Sequence, residues 1–218
     1  MPVPEGVQML AKLFGPQLAE DAQLLAELLR LPRPGPIEHS GATRLFEDIA
    51  SSDVLAEVLT RTLQPLTPDE RRLLDTTRDD INVGHWRWSL LRTETGVPVL
   101  DAETILLPQR IPDDKARKAL GMSDDGSPLD NSLPREPLGK VLRGHGVIRE
   151  PLTVELTPGL FDPTGEPQII CSRALLCGSN GPIGLVHELI NKAFLDRFHD
   201  PLRSVGMPEC GRSPSRFP

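Results

Sequence analysis

An arginine at position 87 and a glutamate at position 188 are the residues of this sequence best suited to chemistry on a small molecule. In "VGHWRWSLL", residues 83–91, strand alternation puts His85, Arg87 and Ser89 on one face and Trp86, Trp88 and Leu90 on the other. The tryptophans are the expected core. That leaves Arg87 on a polar face, where it either meets water and pairs with an acid such as Glu103 or holds an anion. In "GPIGLVHELI", residues 181–190, Gly184, Val186 and Glu188 share a face. A glycine two pleats from a carboxylate leaves room for a molecule to lie against the sheet. A buried carboxylate is costly unless it is paired, protonated or used; the simpler alternative is a strand end where Glu188 reaches water. "PLG" at 137–139 can open a tight helical turn whose backbone N–H groups face an anion. Together these residues describe a site with two poles. One pole suits a ligand carboxylate, and the other can hydrogen-bond a hydroxyl or handle a proton.

Other chemistries lack their residues. "HELIN" at 187–191 has no second histidine at the spacing a zinc protease needs, so no metal is expected. No nucleophile elbow, phosphate-binding loop or dinucleotide fingerprint is present, and no organic cofactor is called for. Cys171 and Cys177 fall at even spacing in one strand and are expected to pack in the core. The three cysteines include no C-x-x-C pair, the usage of a reducing cytoplasm. A formal charge of −7 argues against non-specific nucleic-acid binding, which needs a basic footprint. It leaves room for one small anion, since a site of that kind needs only one or two placed arginines. No apolar run approaches the roughly 18 residues of a membrane span, and the N-terminus does not have the form of a signal peptide.

The elements that must position these residues follow from the apolar pattern. The 218 residues suffice for one substantial domain with appendages. Residues 5–30 are expected to be helical, ending at "PRPGP", 32–36. "TRLFEDIA" and "SSDVLAEVLTRTL" are expected to be two further helices, the second with a Leu55, Val58, Leu59, Leu63 stripe. In "TPDERRLLD" Thr67, Pro68 and Glu70 form a capping box. From residue 83 strands dominate: a hairpin turning at Thr95-Gly96, a strand in "VIREPLTVEL", and a second hairpin turning through Gly178–Gly181. Short helices fall at "IPDDKARKALG" and "REPLGKVL", a polar loop at 121–134, and a helix in "NKAFLDRF" before a flexible tail. Helices lead and strands follow, which predicts an α+β fold with a mainly antiparallel sheet covered by helices. The expected division is an N-terminal helical extension over 1–40, a main domain over 41–190, and a C-terminal helix and tail over 191–218.

The order of these motifs resembles the chorismate pyruvate-lyase family, whose UTRA-like fold is shared with ligand-sensing domains of certain bacterial transcription regulators. Three ordered stretches carry the resemblance: "RWSLLRTETGVPVLDAETILLP" with Arg87 leading, "EPLGKVL", and "SRALLCGSNGPIGLVHELI" running from Pro182 to Glu188. It covers about residues 40–190. The resemblance implies elimination of pyruvate from chorismate to give 4-hydroxybenzoate, without metal or cofactor. It places Arg87 and the Leu138 and Gly139 backbone on the ring carboxylate, and Glu188 at the ring hydroxyl. Arg173 is the candidate contact for the enolpyruvyl carboxylate. The register of the last hairpin decides which face Glu188 takes. The alternatives on the same fold are a non-catalytic module that binds an aromatic carboxylate, or a lyase-like enzyme making a different hydroxybenzoate. The N-terminal helices are acidic and contain no basic recognition helix, which favours a stand-alone enzyme.

Overall fold

A computed structural model describes residues 4–30, 42–77, 80–111, 113–123, 125–129, 137–142, 145–162 and 165–206. The expected helix stop at 32–36 and the C-terminal tail lie outside them, as do residues 124 and 130–134 of the polar 121–134 loop.

The chain starts with two helices, α1 (Glu5–Phe14) and α2 (Pro16–Arg30). Gly15, at φ 94°, breaks what the sequence suggests is one run, and Pro16 starts the next helix without needing an N–H. α3 (Ala42–Ala50) leads into β1 (Val54–Pro65), and α4 (Pro68–Leu73) follows. The capping box is formed: Thr67 N–H donates to Glu70 Oε2 at 2.7 Å, and Glu70 N–H donates to Thr67 Oγ1 at 3.3 Å. Then come β2 (Val83–Thr93), β3 (Pro98–Leu106), the short helices α5 (Asp114–Ala119) and α6 (Leu138–Leu142), β4 (Ile148–Phe161), β5 (Pro167–Gly178), β6 (Gly181–Asn191) and α7 (Lys192–Gly206).

The strands form one six-stranded sheet in the order β1-β2-β3-β6-β5-β4, every neighbour antiparallel. The fold is α+β with an antiparallel sheet covered by helices, as the sequence predicts. Both expected hairpin turns are present, with Gly96 at φ 86° and Gly181 at φ 109°.

The expected helix over 51–63 is instead strand β1. A bulge between Val58 and Thr60 explains the misreading. Before it, Val54 and Ala56 point inward; after it the parity flips, and Arg61 stands opposite Arg87. One extra residue in a period-two pattern imitates a helical stripe. The β-branched Val54, Val58, Thr60 and Thr62 suit the strand.

Helices α1, α2, α3 and α7 pack on one face of the sheet in a common core. Leu10, Leu25, Phe46, Val154, Ile170, Ile190 and Phe194 all belong to it. The Phe46 and Phe194 rings meet edge to face at 5.2 Å. Residues expected as an extension (1–40) and as a C-terminal appendage (191–218) therefore share the core of the 41–190 segment. A second apolar cluster joins α5, α6 and residues Leu120 and Met122 to Leu106, Ala174, Leu176 and Val186 of the same sheet face.

A candidate ligand-binding cavity

On β2 the covered inner face is the polar one. His85, Arg87, Ser89 and Thr93 of β2 all point under the helices and are buried. Trp86 and Trp88 point to the outer face and are half-buried, so the assignment of the tryptophans to the core is corrected. Alternation separates two faces without saying which one the helices will cover. The expected pairing of Arg87 with Glu103 is absent for the same reason: Glu103 stands opposite Trp88, on the outer face.

Cross-strand register assembles the site. Arg87 is level with Thr104, Val186 and Ala174 across β3, β6 and β5, and Ser89 with Ala102, Glu188 and Ser172. Arg87 and Glu188 are thus two strands and one pleat repeat apart, about 12 Å between Cα atoms at standard sheet spacings. The small side chains Ser89, Ala102 and Thr104 leave the floor between them open. Leu91, Leu100, Leu176 and Val186 extend it as apolar wall. Thr43 of α3 and Leu138, Gly139 and Leu142 of α6 form the roof, and Ile148 and Arg149 of β4 one side. The space between these walls is about 830 Å³ when its solvent-open mouth is counted.

Arg87 is only 2% exposed. Its Nε donates to Ser89 Oγ at 2.9 Å, which fixes the guanidinium against the floor. Burial, reinforced by the nearby Arg61 charge, pulls its pKa down to about 10. It remains a cation at neutral pH, and an anion in the cavity would relieve both effects. His85 is held near a pKa of about 4 by burial, then by Arg61 and Arg87. It is neutral, and neither ring nitrogen has a hydrogen-bond partner among the described residues.

At the other pole Glu188 is 7% exposed and points inward. Arg149 Nη2 donates to Glu188 Oε2 at 2.7 Å and to Ser172 Oγ at 2.5 Å, while Nη1 reaches the Leu29 carbonyl at 3.3 Å. Arg149 on β4 thus spans β5 to meet β6, and ties the site to the end of α2. Glu188 is neither orphaned nor at a strand end; it is a buried, ion-paired carboxylate.

The roof is held by a second ionic contact. Lys140 of α6 bridges Glu47 of α3 at 2.8 Å and Asp53 at 3.1 Å. The close approach of α6 to α3 explains Gly139, where a Cβ would stand 2.7 Å from Thr43 Oγ1. Gly184 has a different reason from the one expected. A Cβ there would meet the Ile105 carbonyl and Leu106 Cδ2, both at 2.7 Å, so it makes room for Leu106 and not for a ligand.

Of the residues singled out in the sequence, Arg87, Leu138, Gly139 and Glu188 come together around one cavity. Arg173 does not join them. It is exposed on the outer face, level with His187, and cannot reach a ligand lying between Arg87 and Glu188. Cys171 and Cys177 are also outside the core, half-buried. The residue that sequence reasoning missed is Arg149. Its alternation in "VIREPL" could have marked it, but its partner lies on a strand that is not its neighbour. Among the described residues no cluster of His, Cys, Asp and Glu is arranged to hold a metal ion. No described helix is long and apolar enough to cross a membrane.

No family model matches the sequence, and no curated protein matches it significantly. Solved structures show distant similarity. The effector domain of PhnF from Mycobacterium smegmatis is 14% identical, with 74% of this chain and 93% of that chain covered and a TM-score of 0.48. The ligand-binding domain of a GntR-family transcriptional regulator from Bordetella bronchiseptica is 11% identical, covering 63% and 84%, with a TM-score of 0.43. The C-terminal domain of the histidine utilization repressor from Pseudomonas syringae pv. tomato is 16% identical, covering 63% and 91%, with a TM-score of 0.41.

Proposed function

We propose that the protein binds a small cyclic carboxylate in this cavity, with the carboxylate on Arg87 and a second polar substituent at the Arg149–Glu188 pair. The observation that supports this most is Arg87 itself: a cation 2% exposed that lines the same cavity as Ser89, Ala102, Thr104 and the Arg149–Glu188 pair. A charge-assisted hydrogen bond of this type contributes about 1.5–3 kcal/mol. The first-turn amides of Leu138 and Gly139 add donors, because helix-start N–H groups have no acceptor within the helix. In this reading the ring lies between the poles, against Ala102 and Leu100 of the cavity wall.

A second reading is chorismate lyase. Arg149 favours it, because it offers a second cation, beside Glu188, for the second carboxylate of chorismate. In this reading the ether bond to the ring breaks and the ring loses a hydrogen to the departing enolpyruvyl methylene, giving pyruvate and 4-hydroxybenzoate. Positioning and exclusion of water would do most of the work. Glu188 would hold the ring hydroxyl or assist the proton transfer, help of a kind worth about 10²–10⁴-fold.

Incubation with chorismate, following pyruvate and 4-hydroxybenzoate together, separates the readings. Equal release of both, lost in Glu188→Gln, establishes the lyase. Protection against thermal unfolding by 4-hydroxybenzoate without turnover establishes the binding module. Neither turnover nor protection by a series of ring carboxylates overturns both.

A further inference from the structure

The outer face of the sheet carries a second arrangement of reactive groups, independent of the cavity. Cys171 Sγ lies 3.0 Å from His187 Nε2, and Glu103 Oε2 stands 4.0 Å from the other ring nitrogen, Nδ1. The three come from β5, β6 and β3, which the sheet order makes consecutive neighbours. A thiol, an imidazole and a carboxylate in series are the components of an activated sulfur nucleophile. His187 and Glu103 line an open outer-face hollow of about 1010 Å³ including its mouth, together with Trp86, Ile105, Leu185 and Arg173. Arg173, two residues beyond Cys171 on the same strand face, puts a cation beside the thiol.

We propose that Cys171, His187 and Glu103 form a thiol-exchange site that takes up a low-molecular-weight disulfide bearing carboxylates. Arg173 receives a carboxylate of the incoming disulfide. The Cys171 proton passes to His187 Nε2, and the thiolate attacks one sulfur of the disulfide. The original S–S bond breaks as the Cys171–S bond forms. The departing thiolate takes the proton back from His187 and leaves as a free thiol. Cys171 is oxidised to a mixed disulfide, one half of the reagent is reduced, and the step reverses with excess thiol.

The environment makes the base necessary. Burial and Glu155 push the Cys171 thiol above its usual range, with Arg173 pulling against them. Proton loss to water is therefore disfavoured, and the imidazole in contact supplies the acceptor. Cys177 provides an internal comparison. Its thiol is pushed up to about 11 by burial, then by Glu150, and nothing basic is among its causes.

The test uses full-length protein with Cys177→Ser and Cys210→Ser, leaving Cys171, and oxidised glutathione as the probe, with mixed-disulfide formation followed by mass. Cys171 is expected to react at least about tenfold faster than Cys177 in the matching Cys171→Ser, Cys210→Ser protein. His187→Gln and His187→Asn should each slow Cys171 by about tenfold and change the shape of its pH–rate profile, with the thermal midpoint unchanged. Arg173→Ala should slow oxidised glutathione more than the cationic disulfide cystamine. Dithiothreitol should restore the original mass. Rates unaffected by both His187 variants, or a Cys171 no faster than Cys177, would overturn the proposal.

Discussion

On the inner face of the sheet, Arg87, Ser89, Ser172 and Glu188 lie beneath helices and are buried. On the outer face, Trp86 and Trp88 from the same β2 are half-open to solvent. The ordinary distribution of polar and apolar residues is inverted between the two faces near the site. The inner face carries charge with polar company. Arg149 meets Glu188, Ser89 meets Arg87, and the helices supply apolar contact around them. The outer face tolerates its aromatic rings because α4 and its flanking leucines cover only part of it, at Leu66, Leu74, Leu107 and Leu185. A polar row buried under a helical layer, with an open floor between its charges, is an arrangement with a use for a ligand. Charges on the open face are solvated, and each interacts more weakly with a ligand than one buried under the helices.

The contrast can be broken most severely at Glu188. Glu188→Ala leaves Arg149 buried without its carboxylate, and should cost about 3–5 kcal/mol in unfolding free energy by denaturant titration. Glu188→Gln should cost less, and Glu103→Ala on the outer face little.

Acid should weaken the inner face next. The folded pKa of His85 is about 4 against an ordinary 6.5, so below pH 6.5 the unfolded chain takes up a proton that the native chain refuses. Stability from this group is complete above pH 6.5 and falls through the window down to pH 4, by about 3 kcal/mol in all. Denaturant midpoints measured across that window should lose this slope in His85→Leu.

Arg87→Ala should weaken binding of a ring carboxylate by roughly tenfold to a hundredfold. Its unfolding midpoint should hold or rise, because a desolvated cation has been removed. The smallest effect is expected outside. Trp88 Nε1–H donates to Asp101 Oδ1 at 2.5 Å. Trp88→Phe should cost about 0.5–1.5 kcal/mol and leave ligand affinity unchanged.

The sequence made the local devices legible and the layer order illegible. The Thr67 capping box, the glycine turns at 96 and 181, and the alternation of β2, β5 and β6 depend on neighbours in the chain, and all are found as read. The β1 strand was hidden by a single bulged residue, which turns an alternating pattern into an apparent helical stripe. Arg87, Glu188, Leu138 and Gly139 were legible because an arginine or a glutamate inside a strand, and a Pro-Leu-Gly turn, are unusual enough to stand out. Arg149 was not, because alternation within its own strand says nothing of a partner two strands away. Arg173 was assigned to the wrong side of the sheet although its parity is opposite to that of Ser172, which does lie at the site.

The most direct test of the cavity is calorimetric titration of 4-hydroxybenzoate into the wild type, Arg87→Ala and Arg173→Ala. The inner-face assignment predicts one site per chain in the wild type, unchanged affinity in Arg173→Ala, and a loss of at least about tenfold in Arg87→Ala. Equal binding in the wild type and Arg87→Ala, or a loss confined to Arg173→Ala, would place the ligand on the other face and contradict it.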